Sequence, residues 1–344
     1  MKTVAVFLAL VMTTAAVRAG DVETDWNAIT ALDAGPQEQP QTADAARAIL
    51  LAHLAKQERT LRGFVTAYPK DARAFEAQLR LARLLQIRGD LEESDKLRAE
   101  SRRLLEELEK TASSAQRVEL DFSKIAALMR NLREVTPARR AALLAAARKF
   151  EADYPTDRRV AALLAEVATL FDKEPKTKEA LLLDAQPRAT DPEVKARIAD
   201  DLKRLRLLGE EVPLRFTSVQ GREIRLADLR GQPVLVVFFA GFSPPSLAAL
   251  ASIQRTLLEL PAGRVSVVAV CLDEKRATLD AVMKARAVTW PVAFDGKGWE
   301  SPLVRDLGIN KLPTVWLLDA RGRLRSLNAL DGLGAQIEQL LRER

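Results

Sequence analysis

One change of rhythm divides this chain. From Ala43 to about Leu208, apolar residues recur at intervals of three and four among Leu, Ala, Arg and Glu, which predicts helix almost throughout. At Gly209-Glu-Glu-Val-Pro213 that period stops, and the residues beyond it read as short strands alternating with helices. A chain of 344 residues with this break is expected to form a helical domain over 43–208 and an α/β domain over 214–344. Aromatic residues make up only 5% of it, which favours Leu- and Ala-packed helices over an all-β fold.

The helical half carries its own punctuation. Thr136-Pro137 and Asp191-Pro192 each read as an N-cap followed by proline at the first helical position, where the missing N–H costs nothing. Phe64-Val-Thr-Ala-Tyr68-Pro69-Lys70-Asp71-Ala-Arg73 recurs as Phe150-Glu-Ala-Asp-Tyr154-Pro155-Thr156-Asp157-Arg-Arg159. Each copy ends one helix at Tyr-Pro and opens another, Ala74–Arg88 or Val160–Phe171, with Gly89-Asp90 expected as the turn after the first. The pattern resembles the tetratricopeptide-like helical hairpins of bacterial envelope proteins. The second copy falls outside the ~34-residue register of a tandem array, so a stacked array and a plain bundle both remain open.

Ahead of this region lie two segments of different character. Lys2, an apolar run from Val4 to Ala16 and small residues before Gly20 make 1–19 a secretory signal peptide, pointing to export, most simply to a bacterial periplasm. The run is short of the ~20 residues a membrane span needs. Residues 20–42, with polar Gly35-Pro-Gln-Glu-Gln-Pro-Gln-Thr42 at their end, are expected to form a flexible linker.

Past Pro213 the elements are short. Arg215–Val219 and Glu223–Leu226 flank Gln220-Gly221, a hairpin signal. Pro233–Ala240 and Arg264–Asp273 are continuous apolar runs, the mark of strands covered on both faces. Helices are expected at Ser246–Leu260, Lys275–Ala285 and Gly332–Leu341, with further strands at Val292–Asp295, Lys311–Asp319 and Leu324–Ala329. A βαβ unit joined to a ββα unit follows from that order.

Composition then narrows the chemistry. The sequence has one cysteine, Cys271, and one histidine, His53. Intramolecular disulfides, CxxC pairs, thiolate zinc cages and multi-histidine centres are therefore excluded, and no metal or cofactor is implied. Lys and Arg exceed Asp and Glu by 53 to 47, but the excess is spread over amphipathic helices, which gives no footing for nucleic acid. His53, among Leu50, Leu51 and Leu54, reads as a half-buried helix residue.

Residues 214–344 resemble a thioredoxin-fold domain of the redoxin type used by exported thiol–disulfide oxidoreductases. The resemblance rests on Arg222–Gly231, on Phe238-Phe-Ala-Gly-Phe242, on Val267–Asp273, and on Leu312-Pro313-Thr314 followed by Leu317-Leu318-Asp319 and Gly322. It implies a cis-proline loop at Pro313, with Leu312 offering backbone to an extended peptide. It also implies Cys-Pro-Pro-Cys where this chain has Ser243-Pro244-Pro245-Ser246. A serine hydroxyl cannot exchange disulfides, and as a hydrolytic nucleophile it would need a base beside it. Ser243 fits the N-cap of the next helix, with Pro244 at its first position.

The expected function is thus an exported thioredoxin-like protein that binds proteins or peptides through the helical domain and through Ser243, Pro244, Pro245, Ser246, Leu312 and Pro313, without catalysis at Ser243 or Ser246. Two alternatives stand beside it: a thiol-dependent oxidoreductase acting through Cys271, and a helical envelope scaffold. Cys271, among β-branched residues, is expected to be a small buried hydrophobe. Trp316 is expected in the core, and Trp299 at the surface.

Overall fold

The computed structural model describes residues 21–130, 136–261 and 263–343, so the expected leader at 1–19 lies outside the described residues. The chain divides into two compact units, 1–139 and 140–344. The first contains α1 (Val22–Ala31), α2 (Ala43–Ala67), α3 (Ala74–Leu91), α4 (Asp95–Thr111) and α5 (Ser114–Met129). Helix α6 (Pro137–Asp153) spans the division, and α7 (Val160–Ala168), α8 (Pro175–Ala185) and α9 (Pro192–Arg206) belong to the second unit.

Residues 22–34 correct the expectation of a flexible linker over 20–42: they form α1 and a 3-10 turn, while 35–42 lack regular structure. The reason is tertiary. Trp26 packs on Phe64 with ring centroids 5.2 Å apart, Ile29 is buried, and the Tyr68 hydroxyl donates to Asp25 at 2.7 Å. Glu23 pairs with Arg73 at 2.9 Å and Asp33 with Arg80 at 2.8 Å. A second correction concerns Gly89-Asp90, which lies inside α3 rather than at a turn. Gly89 is there for space, because a Cβ would lie 2.7 Å from the Arg98 side chain, and the chain reverses after Leu91 with Glu93 in the left-handed region.

The recurring Tyr-Pro motif builds the same local structure twice. Asp71 accepts the Arg73 N–H at 2.8 Å and its Nε at 3.0 Å, while Asp157 accepts the corresponding Arg159 groups at 2.8 and 2.9 Å. Phe64 and Tyr68 tilt together at 5.0 Å, and Phe150 and Tyr154 at 4.9 Å. The aspartate lies two residues ahead of the arginine at the helix N-cap, satisfies that arginine's N–H and fixes its side chain, so both breaks share one hydrogen-bonded geometry.

In the second unit a five-stranded sheet has the order β5-β4-β3-β6-β7. Its strands are β3 (Val234–Phe239), β4 (Ser266–Cys271), β5 (Val292–Ala293), β6 (Thr314–Leu318) and β7 (Leu324–Ser326); β1 (Arg215–Thr217) and β2 (Glu223–Arg225) form a separate hairpin. The β3–β4 and β4–β5 pairs are parallel, whereas β3–β6 and β6–β7 are antiparallel. Alternation splits β3 between two cores. Val234, Val236 and Phe238 face Trp316, Val304 and Ile309 on one side of the sheet. Leu235, Val237 and Phe239 face α10 (Pro244–Glu259), α11 (Arg276–Ala285) and α12 (Leu333–Arg342) on the other.

The unit boundary does not fall where the sequence rhythm changes. Beyond α9, the Gly209 N–H donates to Leu324 O at 2.8 Å, and the Leu324 N–H to Glu210 O at 2.9 Å, so the connecting segment pairs along β7. Helices α7–α9 thereby share a unit with the sheet.

Candidate functional site

The site gathers where β3 ends, β4 ends and β6 begins. After the buried β3, the chain passes through Ala240, Gly241 and exposed Phe242 to Ser243, the N-cap of α10. The Ser243 hydroxyl accepts the Ser246 N–H at 3.3 Å, and Pro244 and Pro245 open the helix without N–H groups to satisfy. Both prolines are exposed and Ser243 is half-buried. Ser246 is fully buried, and its Oγ has no hydrogen-bond partner among the described residues.

Antiparallel pairing sets Phe238 opposite Thr314, and continuing that register carries Leu312-Pro313 to the level of Phe239–Ala240. The Leu312–Pro313 peptide is cis. The Leu312 side chain packs on the core that contains Phe238 and Trp316. Among the described residues its backbone N–H and C=O have no intramolecular hydrogen bond, whereas the Lys311 carbonyl accepts the Thr314 hydroxyl at 2.8 Å. The sequence-derived site residues therefore converge on one end of the sheet.

Asp273 supports this end from behind. It is 2% exposed, and its Oδ2 accepts the Gly241 N–H at 2.8 Å and the Cys271 S–H at 3.2 Å. Position 241 must be glycine for space: a Cβ would lie 2.9 Å from the side chains of Thr278 and Val282. Cys271 sits opposite Phe239 in the sheet and is buried, and burial pushes its thiol well above the usual range, with the Asp273 carboxylate acting in the same direction. A thiol held protonated is a poor nucleophile. No base is hydrogen-bonded to the Ser243 hydroxyl among the described residues. His53 is half-buried in α2 and its Nε2 lies 2.9 Å from Leu32 O.

Two aromatics of this unit are exposed. Phe242 is 63% exposed and Trp299 42%, while Trp316 is fully buried. A Cβ on Gly298, beside Trp299, would lie 3.5 Å from Leu272 O, so both aromatics stand one residue from backbone packed against 272–273. Sequence reasoning missed the support behind Leu312. Asp172, after α7, bonds the buried Lys178 at 2.6 Å and Lys311 at 3.5 Å. Lys178 and Lys311 together hold its carboxyl below the ordinary range against the opposing effect of burial. No local spacing announces that contact, because its partners lie in different elements.

A five-stranded mixed sheet, a cis-proline just before β6 and a helix starting after the end of β3 define a thioredoxin-like redoxin domain. Residues 208–327 match the model of the AhpC/TSA family, so the redoxin-like part of this chain lies in that stretch. It is similar to the thiol-disulfide oxidoreductase ResA of Geobacillus thermodenitrificans, 22% identical over 33% of this chain and 63% of that protein. The ResA of Oceanobacillus iheyensis is 27% identical over 32% of this chain and 56% of its own length. This chain thus spans about three fifths of those relatives. Among solved structures, a thiol-disulfide oxidoreductase from Bacteroides fragilis aligns with 37% of this chain and 96% of its own, at 21% identity and a TM-score of 0.33. Among the described residues, no helix is long and apolar enough to cross a membrane.

Proposed function

We propose that this protein is an exported redoxin-like factor that binds extended protein segments without thiol chemistry. The carrying observation is the pairing of Ser243 and Ser246, at the positions of the relatives' expected cysteines, with a cis-proline loop whose Leu312 backbone is unpaired. A strand presented to Leu312 would complete its backbone hydrogen bonds, and Ser243, Pro244, Pro245, Ser246 and Pro313 would line its path. The leader expected from the sequence at 1–19 supports a place outside the cytoplasm. Burial of Cys271 and its raised pKa weaken the reading of a one-cysteine oxidoreductase.

The test pairs two assays on the purified chain. An unfolded, extended peptide is expected to bind and to perturb the NMR resonances of 241–246 and 312–314. Insulin-disulfide reduction is expected to stay at the rate of a no-protein control. Insulin turnover above control, or no peptide binding at all, overturns the reading.

A further inference from the structure

The segment that leads into Leu312-Pro313 is held from outside the redoxin sheet. Lys203 of α9 donates to Arg305 O at 2.9 Å, and Arg204 donates to Gly308 O and pairs with Asp201. Arg204 and Asp201 are each 6% exposed. Gly308 adopts φ +68°, and a Cβ there would lie 2.7 Å from Asp200 O, so α9 presses directly on this turn. Two residues before Pro313, Lys311 reaches the Asp172 carboxylate that also holds the buried Lys178 of α8. Four attachments thus span 305–311, three from α9 and one from the α7–α8 junction.

We propose that helices α7–α9 are a brace for the Leu312 edge, with Asp172 and Arg204 as positioning residues that fix how Leu312 and Pro313 are presented. The proposal rests on the peptide-binding reading for its functional consequence and on contacts within one unit for its mechanics. A backbone edge can pair with an incoming strand only if its donor and acceptor are held in register, and an ordering cost avoided before binding appears as affinity. Helices α7–α9 would thereby tune the redoxin sheet of the same unit through the loop itself.

Amide hydrogen exchange on the full chain tests this. The reporters are the Gly308 and Ile309 amides, which donate to Arg305 O at 3.1 Å and to Val304 O at 3.0 Å; Val236 and Val237 of β3 are the controls. Lys311→Gln removes an exposed handle without disturbing a buried group, and it is expected to speed exchange at 308–309 about two- to five-fold while leaving β3 unchanged. Lys311→Arg is expected to keep wild-type exchange. Asp172→Asn is expected to exceed Lys311→Gln, because it also strands Lys178. Unchanged exchange in Lys311→Gln, or an equal rise in β3, overturns the brace. Peptide affinity, measured on the same variants, is expected to fall in step with the exchange. Because exchange is read without peptide, a chain that binds no peptide would defeat the functional reading while the exchange result still decided the brace.

Discussion

The Cys271 thiol donates to Oδ2 of Asp273 at 3.2 Å, and the same oxygen accepts the Gly241 N–H at 2.8 Å. The only cysteine is therefore part of the wall behind the Ser243 loop rather than a group presented to solvent. Burial raises its pKa above the unfolded value of about 8.5. Folding then favours the protonated thiol, so this group's contribution to stability is intact below that value and is lost as pH rises above it. Labelling by an aromatic disulfide at pH 8 is expected to be on the order of a hundredfold slower for native than for urea-unfolded protein. Equal rates would show the thiol to be accessible.

The two serines of the loop are expected to respond to alanine with opposite signs. Ser243→Ala removes the acceptor for the Ser246 N–H, a loss of about 1 kcal/mol typical of an N-cap. Ser246→Ala removes a buried hydroxyl that has no partner among the described residues, and is expected to be neutral or to stabilise by up to about 1 kcal/mol. Denaturant midpoints of the two variants check the difference.

Ser243→Cys with Ser246→Cys places two thiols across the first turn of α10, where the N-cap already brings the side chain of one against the backbone of the other. Oxidation by an added small-molecule disulfide is expected to yield a protein disulfide detectable as a mass loss of about 2 Da and as protection from thiol labelling, because each thiol gives up one hydrogen as the S–S bond forms and the reagent is reduced to its thiols. Free thiols after oxidation would argue against this loop geometry.

Gly308→Ala should be costlier than Gly221→Ala. Both glycines have positive φ, +68° and +78°, but Gly221 has open space where a Cβ would go and Gly308 has Asp200 O at 2.7 Å. The conformational penalty alone is about 1–2 kcal/mol, and Gly308→Ala is expected to exceed it by at least about 1 kcal/mol. Equilibrium unfolding of the second unit's core, followed by the buried Trp316, reads the difference.

Tyr68 supplies a pH signature for the docking of α1. Its burial, then its hydrogen bond to Asp25, pushes the phenol up to about 12. A raised folded-state pKa means that stability is retained below the unfolded value near 10 and lost as pH rises towards 12. The thermal midpoint of wild type is expected to exceed that of Tyr68→Phe at pH 9, and the gap is expected to shrink up to pH 12. A constant gap would show that the phenol does not couple α1 to folding.

The order of residues along the chain settles what is local. Continuous apolar runs produced β3 and β4, Asp191-Pro192 and Ser243-Pro244 set helix starts, and the Tyr-Pro-x-Asp-x-Arg motif built one hydrogen-bonded junction twice, because each depends on groups a few residues apart. The Ser-Pro-Pro-Ser spacing and the single cysteine were legible for the same reason. Tertiary structure alone decided that 22–34 form a docked helix, that α7–α9 join the sheet's unit, and that Asp172 meets Lys311. Those outcomes depend on which distant side chains satisfy each other's charge, hydrogen bonds and apolar surface. Period and capping carry no record of that choice, so the candidate residues of the Ser243 loop and the Pro313 turn could be named from the chain while the contacts behind them could not.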